Sequence, residues 1–275
     1  MNNLLLFDYN SLLFKSVAIH KDYRFGKHYT GGIYGFINQL CKNINIFNPD
    51  YFVVCSDKPP YIRKDVYPDY KANRKKDPEI YEKIKESRLL IDEFIELTNI
   101  PFWSIEGLEA DDLFAVMCKH HNDLFDKITI VSNDDDLYQL LTYNNIELWA
   151  NNLIINKHLL QEKYKISKPE DWVKITAMSG THNNIPGLKG IGKTTAIKLY
   201  HKPDAFEKVW EDNKEILDFY YSLIKLPIKK VEEIVELRKA KFDLRTAINY
   251  LTRLGIDIKP HMMKAFEYLE EEGKK

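Results

Sequence analysis

A chain of 275 residues, 44% hydrophobic and 29% charged, can bury a core without disulfide or metal staples, and its length suggests one large domain or two packed subdomains. Forty Lys and Arg against 41 Asp and Glu leave a formal net charge of −1, which excludes a uniformly basic nucleic-acid coat protein. No apolar run approaches the roughly 18 residues of a spanning helix, MNNLLLFDYN lacks the basic region of a signal peptide, and Cys41, Cys55 and Cys118 are too scattered for a zinc pattern or disulfide framework, so a cytoplasmic protein without a membrane partner is expected.

In chain order, Leu4-Leu5-Leu6-Phe7 reads as a short buried strand ending at Asp8. Ile33, Phe36, Ile37, Leu40, Cys41 and Ile44 recur at helical spacing and predict a core-facing helix from Gly32 to about Phe47. Tyr51 to Cys55 is a second buried strand, followed by Asp57. Asp77-Pro78-Glu79 is a helix start, with an acid at the N-cap and Pro in the first turn. That helix is expected to reach about Thr98 with Ile80, Ile84, Ile91, Phe94 and Ile95 inward. Phe102 to Ile105 is a third strand, Glu109 to about His121 a helix, Ile128 to Val131 a fourth strand, and Ile146 to Trp149 a fifth. Strands alternating with helices imply an α/β fold with a mostly parallel central sheet flanked by helices. Strand signals stop after about Asn156, so residues 1–155 are expected to form the α/β core and residues 156–275 a helical region. The charged tail from Glu270 to Lys275 is expected to fray.

Asp8, Asp57 and Asp134 each follow a buried strand, and ligands of open parallel sheets bind beyond the carboxyl ends of the strands. The third strand leads into Glu109, Asp111 and Asp112 at the next helix start, and Asp136 follows Asp134 by two. Seven carboxylates are thus expected at one sheet edge. Like charges at close range raise each other's pKa or recruit cations. Oxygen ligands without Cys or His point to Mg2+ or Mn2+. Two such ions about 3.5–4 Å apart are suited to in-line attack on a phosphodiester.

Between Lys58 and Lys76 stand seven basic residues and two acids, with tyrosines interleaved, including Arg63 and Tyr70. Lys and Arg bind phosphates and exposed aromatics stack on unpaired bases, so this segment is a candidate nucleic-acid contact. The stretch from Ile185 to Ala196 reads as a helix-hairpin-helix turn at about 183–200. Gly187, Gly190 and Gly192 would let backbone N–H groups approach a phosphate, and Lys193 opens the following helix. A nucleotide-binding P-loop is disfavoured, since no apolar strand precedes it and a single residue separates Gly190 from Gly192.

In their order and spacing, Leu6-Phe7-Asp8, Tyr34-Gly35-Phe36, Asp57, Tyr70-Lys71-Ala72-Asn73-Arg74, Glu109-Ala110-Asp111-Asp112, Ser132-Asn133-Asp134-Asp135-Asp136-Leu137 and Asn184-Ile185-Pro186-Gly187 resemble the 5′ nucleases. That family includes phage flap endonucleases and the N-terminal nuclease domain of bacterial DNA polymerase I. The resemblance covers roughly Leu4 to Tyr200. It implies a helical arch after the second strand, at about 58–98, through which single-stranded 5′ ends pass. It also implies a helix-hairpin-helix region that grips duplex DNA, often with a potassium ion. Lys71 and Arg74 match catalytic arch-base positions, Lys15 matches a basic position near the active site, and Asp8, Asp57, Glu109, Asp111, Asp112, Asp134 and Asp136 match acidic metal-ligand positions.

The chain departs from the family pattern in two places. Where relatives carry Gly-Asp-x-x-Asp-Asn, this chain has Ser179 to Asn184, so two second-metal aspartates correspond to Gly180 and Asn183 and a weakened second metal site is expected. His182 stands in the same stretch, either as a compensating ligand or as a structural histidine. Tyr9 replaces the usual glycine after the first aspartate. The resemblance thus implies a Mg2+- or Mn2+-dependent 5′-3′ exonuclease or flap endonuclease acting on DNA with 5′ flaps, nicks or single-stranded 5′ ends, as a monomer. The alternatives are a catalytically impaired structure-specific DNA-binding protein and ribonuclease H-like removal of RNA primers.

Overall fold

In a computed structural model, residues 2–74, 77–231, 237 and 239–274 are described. Lys75 and Lys76, at the end of the basic segment, lie outside them. The described residues form a six-stranded sheet and a two-stranded hairpin among twelve α-helices. Strand β1 (Asn3–Asp8) runs straight into helix α1 (Tyr9–Ile19). The hairpin strands β2 (Arg24–Phe25) and β3 (His28–Tyr29) precede α2 (Gly31–Phe47), and β4 (Tyr51–Cys55) precedes the short α3 (Ile62–Val66). Then come α4 (Pro78–Thr98), β5 (Phe102–Trp103), α5 (Ala110–His121), β6 (Lys127–Val131), β7 (Ile146–Ala150) and β8 (Leu153–Ile155). The remaining helices are α6 (Lys157–Tyr164), α7 (Trp172–Ser179), α8 (Lys193–Tyr200), α9 (Pro203–Asp212), α10 (Lys214–Ile224), α11 (Leu244–Arg253) and α12 (Pro260–Glu272). No helix among the described residues is long and apolar enough to cross a membrane.

The sheet order is β5-β4-β1-β6-β7-β8, parallel throughout except for the antiparallel β7–β8 pair. Alternation along β1 divides its side chains between two cores. Leu5 and Phe7 join Phe36, Leu40, Ile91 and Phe94 on the α2–α4 side, while Leu4 and Leu6 join Leu113, Phe114 and Met117 of α5. These four β1 side chains contribute roughly 6–12 kcal/mol of gross burial energy. That burial fixes the register and so places Asp8 at the strand's carboxyl end. Asp77 caps α4 as expected, accepting hydrogen bonds from the N–H groups of Glu79 (2.9 Å) and Ile80 (3.3 Å).

The structure corrects several expectations. Ile80 is exposed rather than inward, because the first turn of α4 extends beyond the core. The third strand stops at Trp103. Within the span 58–98 expected for the arch, α4 packs into the core through Ile84, Ile91, Phe94 and Ile95. The tail is helical through Glu272, and Lys274 pairs with Glu270 at 2.8 Å. Residues 156–275 do not form one packing unit. Helices α7, α8 and α10 build a third core around Trp172, whereas Leu251, Met262 and Phe266 of α11 and α12 pack back against α2 and α4.

Candidate active site

Each acidic residue owes its position to an element end. Asp8 leaves β1 and caps α1, its Oδ1 accepting from the Ser11 N–H at 2.8 Å. Asp57 lies two residues beyond β4, and its Oδ1 accepts from the Ala110 N–H at 2.8 Å, locking β4 to the start of α5. Asp134 follows β6 and caps a 3-10 turn, its Oδ1 accepting from the Asp136 N–H at 2.9 Å. Asp111 lies in the first turn of α5.

Several of these side chains stand close enough to act on one another's ionisation. Burial pushes the Asp8 pKa up to about 7, and the charges of Asp57 and Asp134 add to that rise. Burial, then Asp134, Asp8, Glu109 and Asp57, hold Asp111 well above the carboxylate range. Asp57 is raised chiefly by burial, against the pull of the Lys71 ammonium. Asp136 is pushed up to about 8 by burial and by Asp134 and Asp135. A group of carboxylates that resist ionising together is a place where a divalent cation gains most. The donor set is all oxygen at Asp8, Asp57 and Asp111, which fits a hard divalent ion. Asp134 and Asp136 share their surroundings with His182, one ligand atom from each lying within 4.8 Å of the others.

Two of the seven expected ligands have other duties. Asp112 is fully buried and has both oxygens engaged: Oδ1 accepts from Arg63 Nη2 (2.8 Å) and the Ile228 N–H (2.9 Å), and Oδ2 accepts from Arg63 Nη1 (2.6 Å) and the Glu109 N–H (3.1 Å). It is a structural anion, not a free ligand. Glu109 accepts from Arg63 Nη1 (3.0 Å) and the Tyr70 hydroxyl (2.8 Å) and pairs with Lys71. Arg63 is 3% exposed and also donates to the Leu223 carbonyl at 2.8 Å, so it does not reach DNA as expected. Tyr70 is buried as well, which removes it as a stacking platform. Breaking a buried network of this kind by removing one partner costs roughly 3–5 kcal/mol.

The network holds the catalytic candidates of the basic segment. Lys71 adopts a left-handed backbone (φ 57°), donates its N–H to the Asn183 carbonyl at 2.8 Å, and lies over the rings of Tyr61 and Tyr70. Arg74 donates to Asn183 Oδ1 at 2.7 Å. Asn183 is therefore the tie between this turn and the loop after α7, and its amide oxygen is not free for a metal. Gly180 ends α7 at φ 77°, ψ 171°, a region essentially restricted to glycine. A Cβ there would stand 2.6 Å from the Ile185 carbonyl oxygen and 2.7 Å from that of Pro186. Gly180 is thus a structural cap whose backbone and surroundings leave no room for a side chain. Gly187 is equally constrained, its would-be Cβ lying 2.3 Å from the Gly180 nitrogen, whereas Gly190 and Gly192 border open space.

Lys193, half-exposed at the start of α8, pairs with Asp135 and lies over the Trp172 ring at 5.3 Å. Lys15 is exposed on α1. Sequence pattern does not single out Asn10 or Arg88. The Asn10 side chain hydrogen-bonds Asp57 and accepts from Arg88 Nη2 at 2.5 Å, and the Arg88 guanidinium covers the Tyr9 ring at 4.8 Å. The only sequence signal for Asn10 is its place two residues after Asp8. Tyr9 is fully buried and donates to Asp92 Oδ1 at 2.6 Å, so the departure at this position seals the flank between α1 and α4.

A sheet edge lined with partly buried carboxylates beside an anchored lysine is suited to hold a divalent ion next to a phosphate. Residues 3–165 match the 5′-3′ exonuclease, N-terminal resolvase-like domain. A 5′-3′ exonuclease of Aquifex aeolicus is 30% identical over 241 residues, covering 82% of each chain. The thermostable DNA polymerase I of Thermus thermophilus is 33% identical over 180 residues, 65% of this chain but 21% of that protein. The bacteriophage T5 flap endonuclease, solved with DNA and metal ions, shares the fold over the full length of both chains with a TM-score of 0.65 at 17% identity. The chain belongs to the 5′-3′ exonuclease family.

Proposed function

We propose that this protein is a divalent-metal-dependent 5′-3′ exonuclease and flap endonuclease that hydrolyses DNA phosphodiesters at 5′ flaps, nicks or single-stranded 5′ ends. The observation that carries the reading is the gathering of raised carboxylates at one sheet edge: beyond the effect of burial, Asp57 and Asp134 raise Asp8, Asp134, Asp8 and Asp57 raise Asp111, and Asp134 raises Asp136, with the Lys71 ammonium acting on Asp8 and Asp57. Asp8, Asp57 and Asp111 would hold one Mg2+ or Mn2+, and Asp134 and Asp136 a second. Such ions, when bound, polarise a phosphoryl oxygen and make water nucleophilic near neutral pH.

The protein's own groups do the rest. Glu109 holds the Lys71 ammonium beside the acids, and the rings of Tyr61 and Tyr70 lie 5.7 Å and 5.3 Å from it. From there it would pair with the scissile phosphate and with the charge that develops on it. Arg74, held by Asn183, would bind the neighbouring phosphate. Arg63 and Asp112 set the position of Glu109 without touching substrate.

The α7–hairpin–α8 unit would hold the duplex beyond the cut through the open backbone at Gly190 and Gly192, with the third core as its support. Lys193 and Lys15 are proposed as phosphate contacts, and a potassium ion at the hairpin belongs to the same reading. A monomeric, cytoplasmic enzyme completes it, resting on family likeness. Cleavage of 5′-labelled flap DNA and of the matching flush duplex, each with Mg2+, is the test. Faster release of the flap product supports the reading, and equal resistance of both substrates with intact DNA binding favours a catalytically impaired binding protein.

A further inference from the structure

The loop after α7 brings a nitrogen donor to an acid pair. His182 Nε2 stands 3.6 Å from Asp134 Oδ2, and Asp136 completes a group whose ligand atoms lie within 4.8 Å of one another. Asp134 Oδ1 is occupied by the Asp136 N–H, so Oδ2 is the oxygen turned toward the imidazole. The other side chains of the loop are committed: Arg74 holds Asn183 Oδ1, and Thr181 Oγ1 accepts from the Asn183 N–H at 3.0 Å. Ligand atoms in one coordination shell with bonds of about 2.0–2.2 Å stand about 3–3.5 Å apart. The 3.6 Å between His182 Nε2 and Asp134 Oδ2 is already close to that spacing, and the His182 side chain is 57% exposed.

We propose that the second metal position of this chain is an Asp134–Asp136–His182 site, and that its imidazole makes it select Mn2+ over Mg2+. The inference rests on the nuclease reading above and concerns which ion that site takes. Mg2+ is hard, demands near-octahedral oxygen donors and gives up water reluctantly. Imidazole suits borderline ions, and nitrogen-containing sites bind divalent metals increasingly well from Mn2+ along the first row. Two carboxylates and a neutral imidazole only balance the charge of a divalent ion. A site with two further carboxylates would favour the hard ion by charge alone. With Gly180 unable to carry a side chain and Asn183 committed to Arg74, that charge is absent, and the remaining donor is one that Mn2+ accepts more readily.

The competing arrangement is an ion pair in which a protonated His182 merely accompanies Asp134. Electron spin-echo modulation of the full-length, metal-stripped protein loaded with Mn2+, without DNA, separates the two. The wild type is expected to show nitrogen modulation from a coordinated imidazole, lost in His182→Ala. Calorimetric titration should show Mn2+ affinity falling roughly tenfold in that variant while Mg2+ affinity changes less than about twofold. His182→Asp should move the preference back toward Mg2+. Absence of nitrogen modulation in the wild type, or unchanged Mn2+ affinity in His182→Ala, overturns the inference. Flap cleavage with Mg2+, measured in parallel, keeps the readings apart. An active enzyme without nitrogen coordination sinks the histidine ligand alone, and nitrogen-coordinated Mn2+ in a protein that cuts no flap sinks the nuclease reading alone.

Discussion

Asp111 and Asp112 are adjacent in sequence and chemically alike, yet they serve opposite ends. Asp111 is held well above the usual carboxylate range by burial and then by the charges of neighbouring carboxylates, while Asp112 is saturated by a guanidinium and two backbone N–H groups. The sequence shows that acids collect where an apolar strand ends, because burial of the strand fixes its last residue. It does not show which acids of a helical first turn are free, because that depends on Arg63, which lies 46 residues before Glu109. At Gly180, likewise, an aligned position says nothing about backbone conformation. Gly180→Asp, which would seem to restore an acidic residue, is expected to destabilise the fold by roughly 1–3 kcal/mol, since it forces a side chain into a glycine-only region against two carbonyls. Urea denaturation measures this, and an unchanged midpoint would return Gly180 to the metal site.

Among the elements, the buried strands and α2, α4 and α5 were legible because apolar spacing or a capping acid marks them. Helix α1 was not, although Tyr9, Leu12, Leu13 and Val17 form a buried stripe, because buried Ser16 and exposed Phe14 and Ile19 blur the contrast between its faces. A basic run reads as exposed, although its Arg63 and Tyr70 serve as internal anchors. The turn from Tyr67 to Arg74 is tied to the loop after α7, with the Tyr67 hydroxyl donating to the Asn184 carbonyl at 3.2 Å and Asn184 Nδ2 to that of Asp69 at 2.8 Å. Asn183 supplies the link to Arg74. Asn183→Ala should therefore slow flap cleavage by about tenfold, the loss of a charge-assisted hydrogen bond, while calorimetric metal affinity stays unchanged. If metal affinity falls in step with rate, Asn183 belongs to the metal site after all.

Across the whole molecule, the acidic edge couples stability to pH and to metal. The folded, metal-free protein keeps protons on Asp8 up to about 7 and on Asp136 up to about 8, and on Asp57 and Asp111 above their ordinary range. The unfolded chain releases the same protons near pH 4. Between these limits the native state binds more protons, so stability falls as pH rises. The metal-free melting temperature should accordingly drop between about pH 5.5 and about pH 8, and excess Mg2+ or Mn2+ should raise it far more at the upper value. A metal-free melting temperature that climbs across this range would show that the acids do not act on one another as described. The same edge lies between cores built by distant parts of the chain, with α11 and α12 closing the α2–α4 side, an arrangement that no local pattern in residues 244–272 announces.

The claim on which the rest depends is that the acids at the sheet edge hold the metal that drives cleavage. Single-turnover cleavage of a 5′-flap substrate by wild type, Asp8→Asn and Asp134→Asn, with folding checked by circular dichroism, tests it most directly. Each substitution removes a negative charge from the proposed metal shell. The wild type should cut with Mg2+ or Mn2+ and not with chelator, and both variants should lose more than about a hundredfold in rate while still binding flap DNA. Folded variants that cut at the wild-type rate would contradict the account.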